Sequence, residues 1–236
     1  MSRFADFPNP TLAVDIVALS VADTRLHCLL LRRDDAALVG GDWAFPGAVV
    51  HHGKPVEEAV ARAAQIKAGL GALHLEQLAT YGDPARDPRG HVVSVAWMAI
   101  APHALLLDKV TANPDLCLAP VIVDWPGETG GPAQALGADG QPLRLAFDHA
   151  AILGDAVKRL RGKIDYSPIG FGFVPPRFTL RAVQEVHEAI LGRPLTKPAF
   201  RRKLLDRHPL HPTGTLETGG AFRPAELYER DPAQEM

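Results

Sequence analysis

Acidic and histidine side chains that could hold a divalent cation occur together between residues 51 and 58. They are His51, His52, Glu57 and Glu58. Hydrolysis of a phosphoanhydride with Mg²⁺ or Mn²⁺ needs clustered carboxylate oxygens, because these hard cations prefer oxygen ligands and act by polarising the phosphoryl group and activating water. The glutamates also suit the first turn of a helix, and Glu58 with Arg62 has the spacing of a surface ion pair. The residues alone leave a metal site and a solvated helix face open.

A second cluster of side chains that could do chemistry is basic and lies near the end of the chain. It consists of Thr196, Lys197, Arg201, Arg202 and Lys203. Residues 151–236 hold 14 Lys and Arg against 10 Asp and Glu, a formal charge of +4, whereas residues 1–150 hold 11 against 17, a charge of −6. This asymmetry indicates different roles for the two halves and makes the basic half a candidate for nucleic-acid binding.

The elements that position the first group are predicted from periodicity and from capping residues. A helix is expected from Pro55 to Ala68, because Pro55 suits its first position and Gly69 its end. Strands are predicted over Leu12–Val21, Leu26–Leu31, Leu73–Tyr81, His91–Ala101 and Pro120–Trp125. Residues 126–142 are rich in Gly, Pro and Ala and are predicted to form a loop.

The elements around the basic group have the order of a winged helix-turn-helix. Helices are predicted over Phe147–Lys163, over Leu180–Leu191 behind a Thr179 cap, and over Pro198–Arg207 behind a Thr196 cap. A hairpin of Leu210–Leu216 and Phe222–Tyr228 follows, with Arg223 near its tip. The basic helix would enter the major groove and the hairpin would be the wing. A small solvated α+β appendage is the alternative, and Phe200 and Leu204 are expected to be core residues.

Composition limits the class of protein. With 47% hydrophobic and 22% charged residues, the chain of 236 residues is typical of a soluble globular protein. Its start lacks the layout of a signal peptide, and the longest apolar run, Val92 to Pro102, is too short to cross a bilayer as a helix. Cys28 and Cys117 match no metal spacing and are expected to be buried thiols. A cytoplasmic location and no membrane association are therefore expected.

The segment from Trp43 to Leu70 resembles the Nudix box, whose pattern is G-x5-E-x7-R-E-U-x-E-E-x-G-U with U aliphatic. Its arginine is kept as Arg62 and its closing pair as Gly69-Leu70. The other positions differ: Ala48 replaces the glycine, Lys54 the first glutamate, and Ala63, Ile66 and Lys67 the three later glutamates. The resemblance implies a Nudix fold without its metal-binding carboxylates, and hence no enzyme activity, no catalytic residues and no metal.

A longer resemblance, over most of residues 12–230, is to the NrtR-like, Nudix-related transcriptional regulators of NAD metabolism. Its most specific string is Gly-Asp-Pro-Ala-Arg-Asp-Pro-Arg-Gly at 82–90. Further matching strings are Leu75–Leu78, Leu145–His149, Leu160–Pro168, Pro175–Leu180 and Phe200–Leu204. The resemblance implies a repressor whose degenerate Nudix domain senses ADP-ribose or a related nucleotide. A homodimer would hold two winged helices on a palindromic double-stranded DNA operator until the ligand releases it.

Candidate ligand residues follow from this resemblance. Trp43 and Phe45 would form a stacking wall, Arg86 and Arg89 would bind phosphate bidentately without a metal or other cofactor, and Asp83 and Asp87 would accept ribose hydroxyls. Core packing is the alternative for the two aromatic residues, and a rigid turn held by prolines and Asx side chains is the alternative for the loop. The chain departs from the common pattern at Ala48, His51, Lys54 and His91, so the identity of the ligand stays open.

The expected fold is therefore α+β. An N-terminal Nudix-like α/β/α sandwich with a mixed sheet, residues 1–145, would sense the ligand, and a C-terminal winged helix-turn-helix, residues 146–236, would bind DNA. Two alternatives remain: an active ADP-ribose pyrophosphatase, which the missing glutamates disfavour, and a sugar-sensing regulator of the same architecture, which the two loop arginines disfavour.

Overall fold

Alternating apolar residues form the strands of one mixed sheet and a separate hairpin. The computed structural model describes residues 9–35, 41–67, 75–217 and 224–230. The strands are β1 (Thr11–Ala22), β2 (Arg25–Arg32), β3 (Trp43–Ala44), β4 (Gly47–Val49), β5 (Leu75–Tyr81), β6 (Val92–Ile100), β7 (Leu116–Ile122), β8 (Gln134–Ala135), β9 (Leu210–Leu216) and β10 (Glu226–Arg230). The α-helices are α1 (Val56–Arg62), α2 (His103–Ala112), α3 (His149–Lys163), α4 (Leu180–Leu191) and α5 (Lys197–Arg207).

Strand β1 is the centre of the sheet. The strand order is β5-β6-β1-β2-β7-β8, with β3 paired to β2 and β4 paired to β1. β1 runs parallel to β6, with Leu12 opposite Val93, and antiparallel to β2 and β4. The predicted mixed sheet is confirmed, and its parallel pair brings the ends of β1 and β6 to the same edge.

The two faces of β1 bury different helices, because side chains alternate along a strand. Val14, Ile16 and Ala18 pack with residues of α1 and α2. Val17 and Leu19 pack with a larger cluster that contains residues of α3, α4 and α5. The expected α/β/α layers are therefore present.

The predicted helix at 55–68 has two parts. Helix α1 ends at Arg62 and continues as a π-helical turn from Ala63 to Lys67. Ala63 and Ala64 are buried against the sheet. The side chains of Ile66 and Lys67, and residues 69 and 70, lie outside the described residues.

The C-terminal module has the predicted order of helix, helix and hairpin. Helix α4 begins at Thr179, whose hydroxyl accepts a hydrogen bond from the Ala182 N–H at 3.1 Å. It ends at Gly192, which adopts the left-handed conformation (φ 66°) that glycine reaches at little cost. Thr196 occupies the N-cap position of α5 but makes no capping hydrogen bond through its side chain. β9 and β10 pair antiparallel.

The structure differs from the sequence predictions at three places. β7 begins at Leu116 rather than Pro120, which lies inside the strand opposite His27. Helix α2 was not predicted at all, and its N-cap position is Pro102, which supplies no side-chain cap. The segment expected to be loop, 126–142, contains the short strand β8.

Helix α3 belongs to the core of the sheet as much as to the C-terminal module. Its Ile152, Leu153 and Ala156 are fully buried in the same cluster as Val17 and Leu19 of β1. The division into domains at residue 146 stays a prediction, and the contacts tie the first helix of the second unit to the first unit.

Candidate functional site

A cleft of about 680 Å³ opens at the edge of the sheet where β1 and β6 begin. This volume suits a small organic ligand. Its floor needs Gly47, since a Cβ at that position would lie 2.6 Å from Asp15 Oδ1 and 2.7 Å from the Val14 carbonyl oxygen. The charged residues that line the cleft are Asp15, Arg32, Arg33, Asp34, Asp35, Arg86, Asp87 and Arg89.

Arg86 lies at the bottom of this cleft and is paired. Its side chain is 3% exposed, and its Nε and Nη2 donate to the two carboxylate oxygens of Asp148 at 2.8 and 2.6 Å. Asp15 Oδ2 lies 3.8 Å from the same Nη2. Burial lowers the pKa of Arg86, but the hydrogen bonds and charges of Asp148 and then Asp15 outweigh it and raise the pKa overall. The guanidinium is therefore permanently charged and held by a bidentate carboxylate.

Arg89 is held by carboxylates at the rim. Its Nε and Nη2 donate to Asp87 at 3.0 and 2.8 Å, and its Nη1 donates to Asp35 at 3.1 Å. The bond from Arg89 lowers the pKa of Asp87, which stays ionised. Asp35 also accepts from Arg33, at 2.7 Å from its Nε. Among the described residues that line the cleft, acidic and basic side chains are equal in number, four of each, so the formal charge of this lining is zero.

The loop that carries the two predicted arginines is a rigid turn, as its alternative interpretation proposed. Asp83 Oδ1 accepts from the Ala85 N–H at 2.8 Å, and Asp87 Oδ1 accepts from the Arg89 N–H at 3.0 Å. Asp87 lines the cleft as well, whereas Asp83 is exposed and is not among the described lining residues. A ligand role for Asp83 therefore has no geometric support within the cleft.

The two predicted aromatic residues are placed differently. Phe45 borders the cleft but is only 2% exposed and stacks on His149 with ring centroids 4.6 Å apart. Trp43 is half-buried against the larger core cluster and is not among the described lining residues. Trp43 is therefore placed as its core-packing alternative proposed, and Phe45 is a nearly buried residue at the border of the cleft.

Sequence reasoning missed His149 and Asp15. His149 is 1% exposed, its Nδ1 accepts from the Phe45 N–H at 3.1 Å, and its Nε2 faces Asp15 Oδ1 at 3.7 Å. That nitrogen has no hydrogen-bond partner among the described residues. Burial lowers the pKa of His149, so the ring is neutral and carries its proton on Nε2. Asp15 Oδ2 also accepts from the Ser94 hydroxyl at 2.5 Å. His149 belongs to the matching string Leu145–His149, but no residue type or spacing in that string indicates a place beside the cleft.

Sequence reasoning missed Asp148, the partner of Arg86, and also Phe147. The backbone φ of Phe147 is 56°, in the left-handed region that a phenylalanine rarely adopts. The guanidinium carbons of Arg33 and Arg89 lie 5.0 and 5.2 Å from the centre of its ring. Two cations thus hold this strained residue immediately before α3.

The helix α1 region has few ligands for a metal. His51, His52, Glu57 and Glu58 are exposed, and Lys54 Nζ lies 3.2 Å from Glu58 Oε2. In the described part of the chain, no group of three or more His, Cys, Asp or Glu residues is placed to hold an ion. Arg62 donates to the Val49 carbonyl at 2.5 Å, and so ties α1 to β4.

The basic helix α5 presents the predicted surface. Thr196, Lys197, Arg201 and Arg202 are exposed, while Phe200 and Leu204 are buried at 7% and 4% exposure, which confirms them as core residues. Arg201 and Arg202 form no ion pair with the described residues. Two guanidinium groups that are exposed and without an ion pair to the described residues can reach phosphates or base edges.

Lys203 is tied to the end of α3. Its Nζ donates to Asp165 Oδ1 at 2.8 Å, and Arg207 donates to the Asp165 carbonyl oxygen. The hairpin is held at the start of α4, where Tyr228 of β10 and Phe178, just before that helix, exchange two backbone hydrogen bonds. Arg223 lies outside the described residues.

Within the described residues, every helix is too short or too polar to span a membrane.

Comparison with known families divides the chain in two. Residues 9–118 match the NUDIX domain, and residues 170–229 match the NrtR DNA-binding winged helix domain. The whole of α3 lies between the two matches, and so do the cleft residue Phe147 and Asp148, the partner of Arg86.

Three known proteins resemble the chain over much of its length. The ADPR responsive transcriptional repressor NtrR of Acinetobacter baylyi is 31% identical over 226 residues, which cover 95% of this chain and 83% of that protein. An ADP-ribose pyrophosphatase of Methanocaldococcus jannaschii is 28% identical over 69% of this chain and 82% of that protein. The crystal structure of Shewanella oneidensis NrtR complexed with a 27mer DNA aligns with a TM-score of 0.75 at 30% identity, and 94% of each chain is covered.

Proposed function

Because this chain belongs to the family of NrtR transcriptional repressors, in which a NUDIX domain precedes a winged helix DNA-binding domain, we propose that it represses genes of NAD metabolism and is released from DNA by ADP-ribose or a related nucleotide. The observation that carries the proposal is the resemblance to a repressor named as ADPR responsive, which extends over 95% of this chain. Both halves of the mechanism are therefore supported by one relative.

The effector site is proposed to be the cleft beside β1. Arg86 and Arg89 would bind the phosphates, Phe45 would contact an apolar face, and Asp87 with Asp15 would accept hydroxyl hydrogens. No metal or other cofactor is required, since the guanidinium groups supply the positive charge. Isothermal titration with ADP-ribose, NAD and free pentoses tests the assignment. Binding of a pentose without binding of any nucleotide would replace it with a sugar-sensing regulator.

The DNA site is proposed to be helix α5 with the hairpin. Thr196, Lys197, Arg201 and Arg202 would face the major groove, Lys203 would leave Asp165 for a phosphate, and Arg223 would lie on the wing. One such module reads few base pairs. We therefore expect a two-fold homodimer on a palindromic operator, with half-sites about one or two helical turns apart. Access to that operator requires a cytoplasmic protein.

Substitution of Arg201 and Arg202 tests the DNA site. Each of Arg201→Ala and Arg202→Ala should weaken operator binding by about 1–3 kcal/mol if the side chain contacts a base, or should weaken all sequences equally and flatten the salt dependence if it contacts a phosphate. Nucleotide affinity should not change. Arg181→Ala is the matched control, because Arg181 is exposed on α4 and pairs with Glu185. Operator protection that persists in the double variant would remove α5 from the DNA site.

A hydrolase is the second candidate function, favoured by the resemblance to the pyrophosphatase of Methanocaldococcus jannaschii. We propose that this chain is not an enzyme, since Ala63, Ile66 and Lys67 stand at the positions where the Nudix pattern has glutamates. Incubation of ADP-ribose with Mg²⁺ or Mn²⁺ should release no AMP above background. Turnover in the usual enzymatic range of about 1–10³ per second would overturn this assignment.

A further inference from the structure

The most buried cation of the cleft is already occupied by a carboxylate of the chain itself. Asp148 holds two of the Arg86 nitrogens at 2.8 and 2.6 Å, in the bidentate geometry that a phosphate would use. Arg86 lines the cleft, with Asp15 beside it at 3.8 Å. An anionic ligand that approached Arg86 would meet two negative charges next to the one positive charge it seeks.

We infer that Asp148 is a built-in competitor of the effector for Arg86, and that helix α3 carries the exchange to the DNA-binding helix. The inference rests on the proposed function and specifies how its site is regulated. The Arg86 guanidinium would bind either the Asp148 carboxylate or a phosphate of the effector, but not both. The effector-free protein would therefore keep the Arg86–Asp148 pair, and the effector-bound protein would not.

Asp148 is placed so that its release would move a helix. It is the N-cap residue of α3, yet its side chain makes no capping hydrogen bond, because the carboxylate is turned to Arg86. The preceding Phe147 is held at a strained φ of 56° under the cations of Arg33 and Arg89. Loss of the ion pair would free this segment to relax, since strained backbone persists only where its surroundings fix it.

The other end of α3 is fastened to the DNA-binding module. The helix has 15 residues and is about 22 Å long at ~1.5 Å per residue. Near its end, Arg161 is 8% exposed and donates from Nε to the Ile190 carbonyl of α4 at 2.9 Å. Just beyond it, Asp165 binds Lys203 and Arg207 of α5. A helix whose N-cap residue holds Arg86 of the cleft, and whose other end is followed by Asp165, bound to Lys203 of α5, can transmit a shift between them.

Removal of the competing charge tests the inference directly. In the full-length Asp148→Asn protein, ADP-ribose should bind at least about fivefold more tightly than in wild type, and the effector-free protein should bind operator DNA more weakly. Asp148→Ser is the second variant if the first folds poorly, because serine is a favoured N-cap residue that would stabilise the start of α3. Asp42→Asn is the matched control: Asp42 also holds an arginine bidentately, Arg144 at 3.0 and 3.2 Å, but on the exposed surface outside the cleft.

The transmission is tested at the far end of α3. Asp165→Asn should leave the affinity for ADP-ribose unchanged and reduce the factor by which ADP-ribose weakens DNA binding. If a folded Asp148 variant binds ADP-ribose no more tightly than wild type, Asp148 does not compete with the effector for Arg86. If ADP-ribose weakens DNA binding by the same factor in Asp165→Asn as in wild type, α3 does not carry the signal through Asp165. If wild type itself binds neither ADP-ribose nor operator DNA, the proposed function fails instead.

Discussion

The side chains of the cleft are a set of mutually neutralised charges rather than a row of free cations. Arg33, Arg86 and Arg89 each hold a carboxylate within 3.1 Å. When a nucleotide enters, the aspartates would have to release these arginines or accept hydrogen bonds from the hydroxyl groups of the ligand. Such a site selects for ligands with both phosphate and hydroxyl groups, because a plain anion would leave the displaced carboxylates without partners.

The buried His149 should make the protein less stable in mild acid. Burial lowers its pKa in the folded state, whereas the imidazole of the unfolded chain titrates near ~6.5. The unfolded state therefore binds more protons below that pH, and the free energy of unfolding falls as the pH drops from about 7 to below 6. Urea unfolding of wild type and His149→Phe across this range is the measurement, and the variant should lose less stability than wild type.

The His149→Phe substitution should also lower the free energy of unfolding by an amount that does not depend on pH. Phenylalanine keeps a ring against Phe45 but leaves the Phe45 N–H without its acceptor, which costs about 1–3 kcal/mol. His211→Phe is the control, since His211 is exposed on β9. Equal pH slopes for wild type and His149→Phe would contradict the burial argument. His27, His103, His187 and His208 also have lowered pKa values, so part of the slope should remain.

Sequence reasoning at the residue scale found one partner of the central ion pair and not the other. Arg86 belongs to a specific string, but Asp148 lies 62 positions further on and faces it only because α3 packs on the sheet. The same applies to Asp15 and Ser94, which meet across the parallel pair of β1 and β6. Residue types and spacing predict a local turn such as the one at 83–90, whereas contacts between distant segments depend on the packed fold.

Among the helices, α4 and α5 offer a direct comparison of two threonine caps. Thr179→Ala should destabilise the protein by about 0.5–2 kcal/mol, because the Thr179 hydroxyl accepts the Ala182 N–H. Thr196→Ala should change stability by less than about 0.5 kcal/mol, because that side chain makes no capping bond and is exposed. Chemical denaturation of both variants is the measurement. A loss of equal size in the two would contradict the role of the cap.

Elements with explicit start and stop signals were predicted best. Helix α4 was predicted with its observed bounds, since Thr179 and Gly192 mark its ends. Helix α2 was missed because Pro102 offers no capping side chain and the apolar run before it belongs to β6. β7 was placed too late because a proline suits the first position of a strand, whereas Pro120 lies within this one.

For the molecule as a whole, the proposed regulation must be reciprocal. If ADP-ribose weakens operator binding by some factor, operator DNA must weaken ADP-ribose binding by the same factor, expected to be about 5–150-fold. Titration of ADP-ribose into the free protein and into the operator complex measures the second factor, and DNA titration with and without ADP-ribose measures the first. Factors that differ beyond error would require a further bound state. The Arg201→Ala, Arg202→Ala double variant is the control, in which DNA should no longer affect the nucleotide.

The balanced charges of the described cleft lining have a consequence for the effect of ionic strength. Contacts between a basic helix and DNA phosphates release counterions and weaken steeply as salt rises. Exchange of one anion for another on Arg86 leaves the number of ion pairs nearly constant, so nucleotide affinity should change much less. A moderate rise in salt would therefore separate the two activities, leaving a repressor that still holds its nucleotide but has left its operator. The osmotic state of the cell would then act on the same genes through the DNA contacts alone.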